Sequence, residues 1–221
     1  MKIGEENMKL AIALAALLAL AQAGEKGVDV SSSVNWSCLK SQGIDFGIIR
    51  GYESSGNVDS SAKANVAAAK SAGIDNVDLY FFPCVSCGNP ANQAAEFISA
   101  FKGVVKRVWL DIEIYQWSSN QSSNQQFILE LVSALGKSFT VGIYTNLNNW
   151  SSIVGQSWSS CSSLPLWYAH YDNTADFDDF QAFGGWTDPY MKQYEGDATL
   201  CSDDVDMNWT KKSSTKVFFT L

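Results

Sequence analysis

Two carboxylates interrupt an apolar segment of the chain that otherwise has the residue types of a buried strand. The segment Arg107–Trp117 reads RVWLDIEIYQW, with acids at Asp111 and Glu113. Ionised carboxylates are seldom buried unless they are paired or take part in chemistry. Because side chains alternate between the two faces of a strand, Asp111 and Glu113 are predicted to share one face, roughly 6.6 Å apart along the chain. A structural ion pair with an arginine is the alternative interpretation of the same pattern.

Three more acids lie within or directly after segments typical of strands. Asp29 stands in GVDVS, Glu53 follows FGIIRGY, and Asp206 stands in DVDMNWT. Acids at the ends of several strands come together in space when those strands are neighbours around one mouth. Paired carboxylates suit glycoside hydrolysis, in which one group protonates the leaving oxygen and another stabilises the oxocarbenium-like charge. Crowding of like charges, together with desolvation, can keep one such acid protonated near the working pH.

Other catalytic chemistries find little support in the residues. His170 is the single histidine, which excludes a histidine-rich metal site. The chain contains no G-x-S-x-G elbow, Walker loop or G-x-G-x-x-G motif. The tetrapeptide Cys84-Val-Ser-Cys87 resembles half of a zinc or redox site, but the absence of a second C-x-x-C argues against zinc.

Strand-like and helix-like segments alternate along most of the chain. The predicted strands are 27–31, 44–52, 77–83, 107–114, 139–145 and 164–171, and the predicted helices between them are 34–41, 60–71, 92–102, 124–135 and 148–154. After that the rhythm changes, because MKQYEG and DVDMNWT are typical of strands with no helix between them; 215–221 is a last candidate strand. Five βα units with trailing strands predict an α/β fold with a parallel, helix-wrapped sheet. Closure into a barrel and an open doubly wound sheet both fit this pattern.

The N-terminus has the features of a secretory signal peptide. Lys9 precedes an apolar run that ends in the A-x-A cleavage site formed by residues 21–23. We therefore expect residues 1–23 to be a signal peptide and residues 24–221 to form a single catalytic domain; a buried N-terminal helix is the alternative. Secretion implies an oxidising compartment. The five cysteines leave at least one thiol unpaired within the chain, and the spacing leaves their connectivity open.

The overall charge limits the partners. The 221 residues carry a formal net charge of −8 at pH 7 and have no basic stripe, while 46% of them are hydrophobic. These features indicate a globular protein that binds neither nucleic acid nor anionic membranes. After cleavage of the signal peptide we expect no membrane association, and a monomer is the default oligomeric state.

The order of the motifs resembles the family 25 glycoside hydrolases, the Chalaropsis-type lysozymes. The matching elements run from about residue 27 to residue 208 in family order: GVDVS, FGIIRGYE, LYFFP with NPANQA, WLDIE, VGIYTN, LWYAHY, KQYEG and VDMN. The resemblance implies an irregular TIM-like barrel of five βα units followed by three further strands. It also implies cleavage of the β-1,4 bond between N-acetylmuramic acid and N-acetylglucosamine in bacterial peptidoglycan, without a metal or organic cofactor.

The resemblance also implies roles for individual residues. Glu113 would be the general acid, and Asp111 would orient the substrate's acetamido group and stabilise an oxazolinium-like intermediate. Asp29 and Asp206 would complete the catalytic cluster. The substrate-binding residues would be Glu53, Tyr80, Tyr144, Tyr168 and Gln193. The chain departs from the family pattern in RGYE, where KATEG is usual, and in the CVSC insertion, for which the resemblance implies no role.

A secreted enzyme of this kind would act outside the cell or in the lumen of a digestive or phagosomal compartment. Its negative charge would repel it from the anionic polymers around peptidoglycan at neutral pH, so we predict an acidic optimum. Two other functions remain open at this point. One is a catalytically silent glycan-binding protein on the same barrel, and the other is a hydrolase of another N-acetylhexosamine polymer such as chitin.

Overall fold

The computed structural model describes residues 24–211, and the strands within them form one sheet that closes into a barrel. The strands are β1 (Glu25–Val30), β2 (Phe46–Glu53), β3 (Asn57–Val58), β4 (Asn76–Phe81), β5 (Arg107–Asp111), β6 (Thr140–Thr145), β7 (Leu166–Ala169), β8 (Met191–Leu200) and β9 (Asp203–Thr210). The helices are α1 (Trp36–Ser41), α2 (Ala62–Ser71), α3 (Pro90–Phe101), α4 (Gln121–Leu135) and α5 (Leu147–Ile153). The predicted signal peptide and the candidate strand 215–221 lie outside the described residues.

The sheet closes because β1 pairs on both of its edges. It runs parallel to β2 on one side and antiparallel to β9 on the other. Parallel pairing continues from β2 through β4, β5, β6 and β7 to β8, and β8 and β9 form an antiparallel pair. Within residues 24–211, the short β3 pairs only with the outer end of β2, so eight of the described strands form the barrel itself. The expected α/β barrel of five βα units and three further strands is confirmed, and the open doubly wound sheet is excluded.

Asparagine side chains cap the N-termini of four of these helices. The caps are Asn35 for α1, Asn89 for α3, Asn120 for α4 and Asn146 for α5, and each accepts a hydrogen bond from the backbone N–H three residues on. A cap of this kind stabilises a helix by about 1 kcal/mol. The caps explain why α3 and α4 begin two or three residues before their predicted starts.

The predicted strand 107–114 is too long, because β5 ends at Asp111. The backbone stays tied to β6 for one more residue, since the Ile112 N–H donates to the Tyr144 carbonyl and the Thr145 hydroxyl donates to the Ile112 carbonyl. Beyond that point the chain turns away, and Gln116 adopts a positive φ of 59°. The residues that follow Asp111 therefore form a loop at the mouth of the barrel.

Two apolar layers hold the barrel together. The interior is filled by Phe46, Ile48, Trp109, Tyr144, Trp167 and Met191. A larger layer, which includes Ile112, lies between the outside of the barrel and the helices. Gly142 of β6 makes room for the interior, because a Cβ at that position would overlap the indole ring of Trp109. Burial of the side chains in both layers removes apolar surface from water and stabilises the fold.

The structure settles the cysteine pairing that the sequence left open. Cys38 of α1 is bonded to Cys201 in the β8–β9 turn, and Cys84 is bonded to Cys87. Cys161 is free and buried, which confirms the expectation of an unpaired thiol. Among residues 24–211, no helix is long and apolar enough to span a lipid bilayer.

Candidate active site

The four acids with predicted catalytic roles lie at the end of the barrel where its parallel strands terminate. Asp29 is near the end of β1, and Asp206 lies directly opposite it on β9 as its register partner. Asp111 is the last residue of β5, and Glu113 follows it in the loop. Electrostatic interactions connect them, because Asp206 acts on both Asp29 and Glu113, while Glu113 and Asp29 act on Asp111.

Gln193 of β8 is the hub of a hydrogen-bond network that orders this cluster. Its Nε2 donates to Asp29 Oδ1 at 2.8 Å and to Asp206 Oδ2 at 3.0 Å. Its Oε1 accepts from the hydroxyl of Tyr144 at 2.6 Å and from that of Tyr171 at 2.9 Å. The orientation of the buried amide is therefore determined, with its donor side toward the acids. Gln193 supports the acid cluster, and the substrate-binding role that the family resemblance implies for it stays a prediction.

The buried side-chain amide of Asn208 also holds Asp29 in place. Asn208 Nδ2 donates to Asp29 Oδ1 at 2.7 Å, and Asn208 Oδ1 accepts from Trp167 Nε1 at 2.8 Å. Burial first, and then the charge of Asp206, raises the pKa of Asp29 to about 8, although the bonds from Asn208 and Gln193 oppose this shift. No role was predicted for Asn208, although it is the last residue of the VDMN motif in the family resemblance.

Asp111 is the most isolated acid of the cluster. Its carboxyl is buried, and the atom Oδ1 has no hydrogen-bond partner among the described residues. Burial first, and then the charges of Glu113 and Asp29, raises its pKa well above the usual range. A buried carboxyl oxygen without a partner is costly, and such groups call for a specific explanation. A ligand N–H that reached Asp111 from the mouth would satisfy this oxygen.

Glu113 is half-buried and lines an open cavity of about 430 Å³. Burial first, and then the charge of Asp206, raises the pKa of Glu113. Its backbone is held by Trp117, whose Nε1 donates to the Glu113 carbonyl at 2.7 Å while its ring packs edge-on against Phe127 of α4. The raised pKa favours a protonated carboxyl, which is what a general acid requires.

The predicted substrate-binding tyrosines lie in different environments. Tyr80 of β4 is close enough to the cluster that the charges of Asp29 and Asp111, after burial, raise its pKa. Tyr144 lines the same cavity as Glu113. Tyr168 also lines this cavity, but its hydroxyl donates to Asp179 at 2.6 Å.

Glu53 belongs to a separate group of polar side chains at the end of β2. It accepts a hydrogen bond from Ser55 Oγ at 3.0 Å, and its Oε1 lies 3.9 Å from Nη2 of Arg50. Arg50 is bound more closely by the buried Asp59, at 3.0 Å. The role of Glu53 in substrate binding stays a prediction.

An ionic cluster that the sequence did not reveal anchors the loop between β7 and β8. Lys192 is fully buried, and its ammonium group lies 2.8 Å from Asp172 and 2.9 Å from Asp179. His170 also contacts Asp179. A ring nitrogen of His170 and carboxylate oxygens of Asp172 and Asp179 lie within 4.8 Å of one another. Partial burial alone would raise the pKa of Asp179, but bonds from Tyr168 and Lys192 lower it to about 2. The loop thereby forms one wall of the cavity beside Glu113.

This combination of fold and site defines a class of protein. Four carboxyl groups converge at the C-terminal mouth of an α/β barrel, where barrel enzymes place their chemistry. Glu113 lines a cavity and has a raised pKa, and the neighbouring Asp111 has an oxygen that finds no partner among residues 24–211. These are the features of a barrel glycoside hydrolase that works with paired carboxyl groups.

Comparison with known proteins narrows this class to a family. The family model described as "Lysozyme-like protein 1" matches residues 21–194. "Probable GH family 25 lysozyme 4" of Dictyostelium discoideum is 42% identical over 190 residues, covering 83% of this chain and 89% of that protein. "Lysozyme-like protein 5" of Caenorhabditis elegans is 40% identical over 197 residues, covering 85% and 92%.

Solved structures agree with the sequence comparisons. The bacterial lysozyme from Streptomyces coelicolor superposes with a TM-score of 0.72 at 27% identity, covering 87% of this chain and 94% of that one. A family 25 glycosyl hydrolase from Bacillus anthracis shares the fold, with a TM-score of 0.70 at 18% identity and coverage of 86% and 90%. The chain belongs to the family 25 glycoside hydrolases and is a hydrolase of the lysozyme, or muramidase, type.

Proposed function

We propose that the protein is a secreted N-acetylmuramidase. It would cleave the β-1,4 bond between N-acetylmuramic acid and N-acetylglucosamine in bacterial peptidoglycan. The observation that carries the proposal is the pairing of Glu113 with Asp111. Glu113 lines the cavity with a raised pKa, and the neighbouring Asp111 has a buried oxygen that no group within residues 24–211 satisfies.

The proposed reaction uses the two carboxyl groups in different ways. Glu113 donates its proton to the glycosidic oxygen, so the leaving sugar departs as a neutral alcohol. Asp111 accepts the N–H of the substrate's acetamido group. This contact turns the acetamido oxygen toward the anomeric carbon and stabilises the oxazolinium-like intermediate that results. Glu113, now ionised, removes a proton from the water that opens this intermediate.

The remaining acids maintain the field in which these two groups work. Asp29 and Asp206 share the amide of Gln193, and the charge of Asp206 favours protonation of Glu113, the state that a general acid requires. Tyr80, Tyr144 and Tyr168 would contact the sugar rings from the walls of the mouth, since aromatic faces pack well against apolar ring faces.

Digestion of purified peptidoglycan tests the substrate and the bond. We expect N-acetylmuramic acid at the new reducing end, and the anomeric configuration of that sugar, read by NMR, will show whether the reaction retains or inverts. The variant Glu113→Gln should lose lysis by at least about 100-fold and still bind the glycan. The matched control is Glu130→Gln, which changes an exposed residue on α4. New reducing ends on N-acetylglucosamine alone, or faster cleavage of chitin, would favour the other N-acetylhexosamine hydrolase instead.

Secretion is part of the same proposal. Residues 1–23 would direct export and be removed after Ala23, and the mature chain would work in an extracellular or digestive compartment. N-terminal sequencing of the exported protein tests this, with Gly24 as the expected first residue.

A further inference from the structure

The proposed chemistry leaves the short disulfide loop, residues 84–87, without a role. This loop follows β4, which lies between β2 and β5 in the sheet. Cys84 is buried and Cys87 is exposed. Gln93 of α3 holds the loop in place, because its Nε2 donates to the carbonyls of Cys84 and Gly88 while its Oε1 accepts from the Cys84 N–H. The disulfide loop is thus attached firmly to the first turns of α3.

On one side the disulfide loop packs against the turn between β2 and β3. Gly56 of that turn has a φ of +87°, and a Cβ there would lie 2.8 Å from Cys87 Sγ and 3.4 Å from Cys84 Cβ. The position therefore requires glycine both for its backbone conformation and for the close approach of the disulfide. The same turn holds Glu53, because the Gly56 N–H donates to the Glu53 carbonyl and Ser55 Oγ donates to its carboxylate.

On the other side it contacts the acid loop, residues 112–118, which carries the proposed general acid. Ser86 Oγ donates to Gln116 Oε1 at 2.6 Å. The rings of Phe82 and Tyr115 lie with their centroids 5.4 Å apart. Gln116 adopts a left-handed backbone conformation, with a φ of 59°, that costs a non-glycine residue about 1–2 kcal/mol. Contacts from outside the acid loop must offset this cost, and Ser86 supplies one of them.

We propose that the Cys84–Cys87 disulfide loop is a positioning element that fixes the orientation of Glu113 through the Ser86–Gln116 hydrogen bond. This inference rests on the proposed role of Glu113 as general acid. Without the disulfide, residues 84–87 gain conformational freedom, and the Ser86 hydroxyl no longer has a defined place. The acid loop then loses its hydrogen bond to Ser86, which is the contact that holds Gln116. The Phe82–Tyr115 ring contact, the Trp117 hydrogen bond to the Glu113 carbonyl and the Asn124 hydrogen bonds to Ser118 remain.

Loosening the acid loop should change the titration of Glu113 as well as its geometry. The ionisable groups that face it are Asp111 from β5, Tyr144 from β6, Tyr171 from the β7–β8 loop and Asp206 from β9. A more mobile carboxyl spends more time in water and further from these groups. Its pKa falls, so the alkaline limb of the kcat profile moves to lower pH.

The experiment compares two disulfide-deficient variants of the full chain on soluble glycan strands prepared from peptidoglycan. In Cys84→Ala/Cys87→Ala we expect kcat to fall about tenfold with KM nearly unchanged, because misorientation of a catalytic group affects the transition state more than binding. The alkaline limb should move down by about half a pH unit or more. The control Cys38→Ala/Cys201→Ala also loses one disulfide, but its kcat and the alkaline limb of its pH profile should be those of the wild type. Ser86→Ala should show smaller decreases in kcat and in the pH of the alkaline limb. Ser86→Thr keeps a hydroxyl and should have the wild-type kcat and alkaline limb.

The results separate the two proposals. If Cys84→Ala/Cys87→Ala has the same kcat and alkaline limb as the Cys38/Cys201 control, the positioning role is refuted. Should the first variant fail to fold, Ser86→Ala decides on the same two criteria, because it leaves both disulfides intact. If the wild-type protein does not cleave the strands, the proposed function itself is refuted. If the wild type cleaves them and the two disulfide-deficient variants have the same kcat and alkaline limb, only the positioning role is refuted.

Discussion

Replacing Asp29 by asparagine should stabilise the fold at neutral pH while it damages the site. Asparagine is isosteric with aspartate, and its Oδ1 can still accept the hydrogen bonds from Gln193 Nε2 and Asn208 Nδ2. What the substitution removes is an acidic group opposite Asp206 whose ionisation the folded state opposes but the unfolded state permits. Active sites often hold such mutually destabilising charges, so that a neutralising substitution exchanges activity for stability.

The magnitude follows from the pKa of Asp29, which rises from an ordinary value of 3.8 to about 8 in the folded protein. Between these two values the folded state binds more protons than the unfolded state, so the free energy of unfolding falls as pH rises. Each pH unit lowers it by at most about 1.4 kcal/mol, or about 4 kcal/mol between pH 4 and pH 7. Residual exposure of the carboxyl and its coupling to Asp206 reduce the expected gain to about 1–3 kcal/mol.

The assay is urea unfolding followed by tryptophan fluorescence, at several values between pH 4 and pH 8. Asp29→Asn should gain stability relative to wild type progressively across this range, corresponding to about 3–10 °C in Tm at pH 7.5. Below about pH 4 both side chains are neutral, so the pH-dependent part of the difference vanishes. Asp75→Asn, at an exposed loop position, is the control and should show no such trend. A stability difference for Asp29→Asn that is constant with pH, or that turns unfavourable toward pH 8, would show that the charge is not the destabilising element.

Three further predictions address the pH dependence, the acid loop and the β7–β8 loop. Peptidoglycan lysis should have an acidic optimum, and added salt should raise the activity at neutral pH by screening the negative charge; a profile that peaks at neutral pH or above contradicts this. Trp117→Phe should keep the ring packing but lose the hydrogen bond to the Glu113 carbonyl, lowering kcat about fivefold in the same assay. Trp158→Phe, which changes an indole away from that carbonyl, should be neutral. Lys192→Met should lower the free energy of unfolding by about 2–4 kcal/mol, because it leaves two partly buried aspartates without their cation. Exposed Lys63→Met should have little effect, and equal losses in both variants would refute the reasoning.

Much of the architecture was accessible from the sequence, because alternating strand and helix periodicity is a local signal. The five βα units and the helix-free end were both predicted. Periodicity alone left closure undecided, and only the family resemblance implied the barrel, since closure depends on β1 pairing with β9, some 180 residues later in the chain. The limits of β5 were also missed. Residues 112–114 are apolar enough for a strand, but the neighbouring strand β6 ends at Thr145, which leaves them little backbone to pair with.

The site was accessible by residue type but not by environment. Asp29, Asp111, Glu113 and Asp206 could be selected because carboxylates within strands are unusual. Their environments differ in ways that no spacing reveals. Asp29 is held by two amides, whereas Asp111 has an oxygen without a hydrogen-bond partner in the described part of the chain. These differences arise from side chains on β8 and β9, which reach the site only after the barrel closes.

The disulfide loop shows why contacts of this kind lie beyond sequence patterns. The spacing of Cys84 and Cys87 permits a local bond, but it does not indicate what the bond touches. Its two contact surfaces, at Gly56 and Gln116, follow different strands and lie on opposite sides of β4. They meet because the sheet places β4 between β2 and β5. A four-residue segment can therefore contact both the turn that follows Glu53 and the acid loop that carries Glu113.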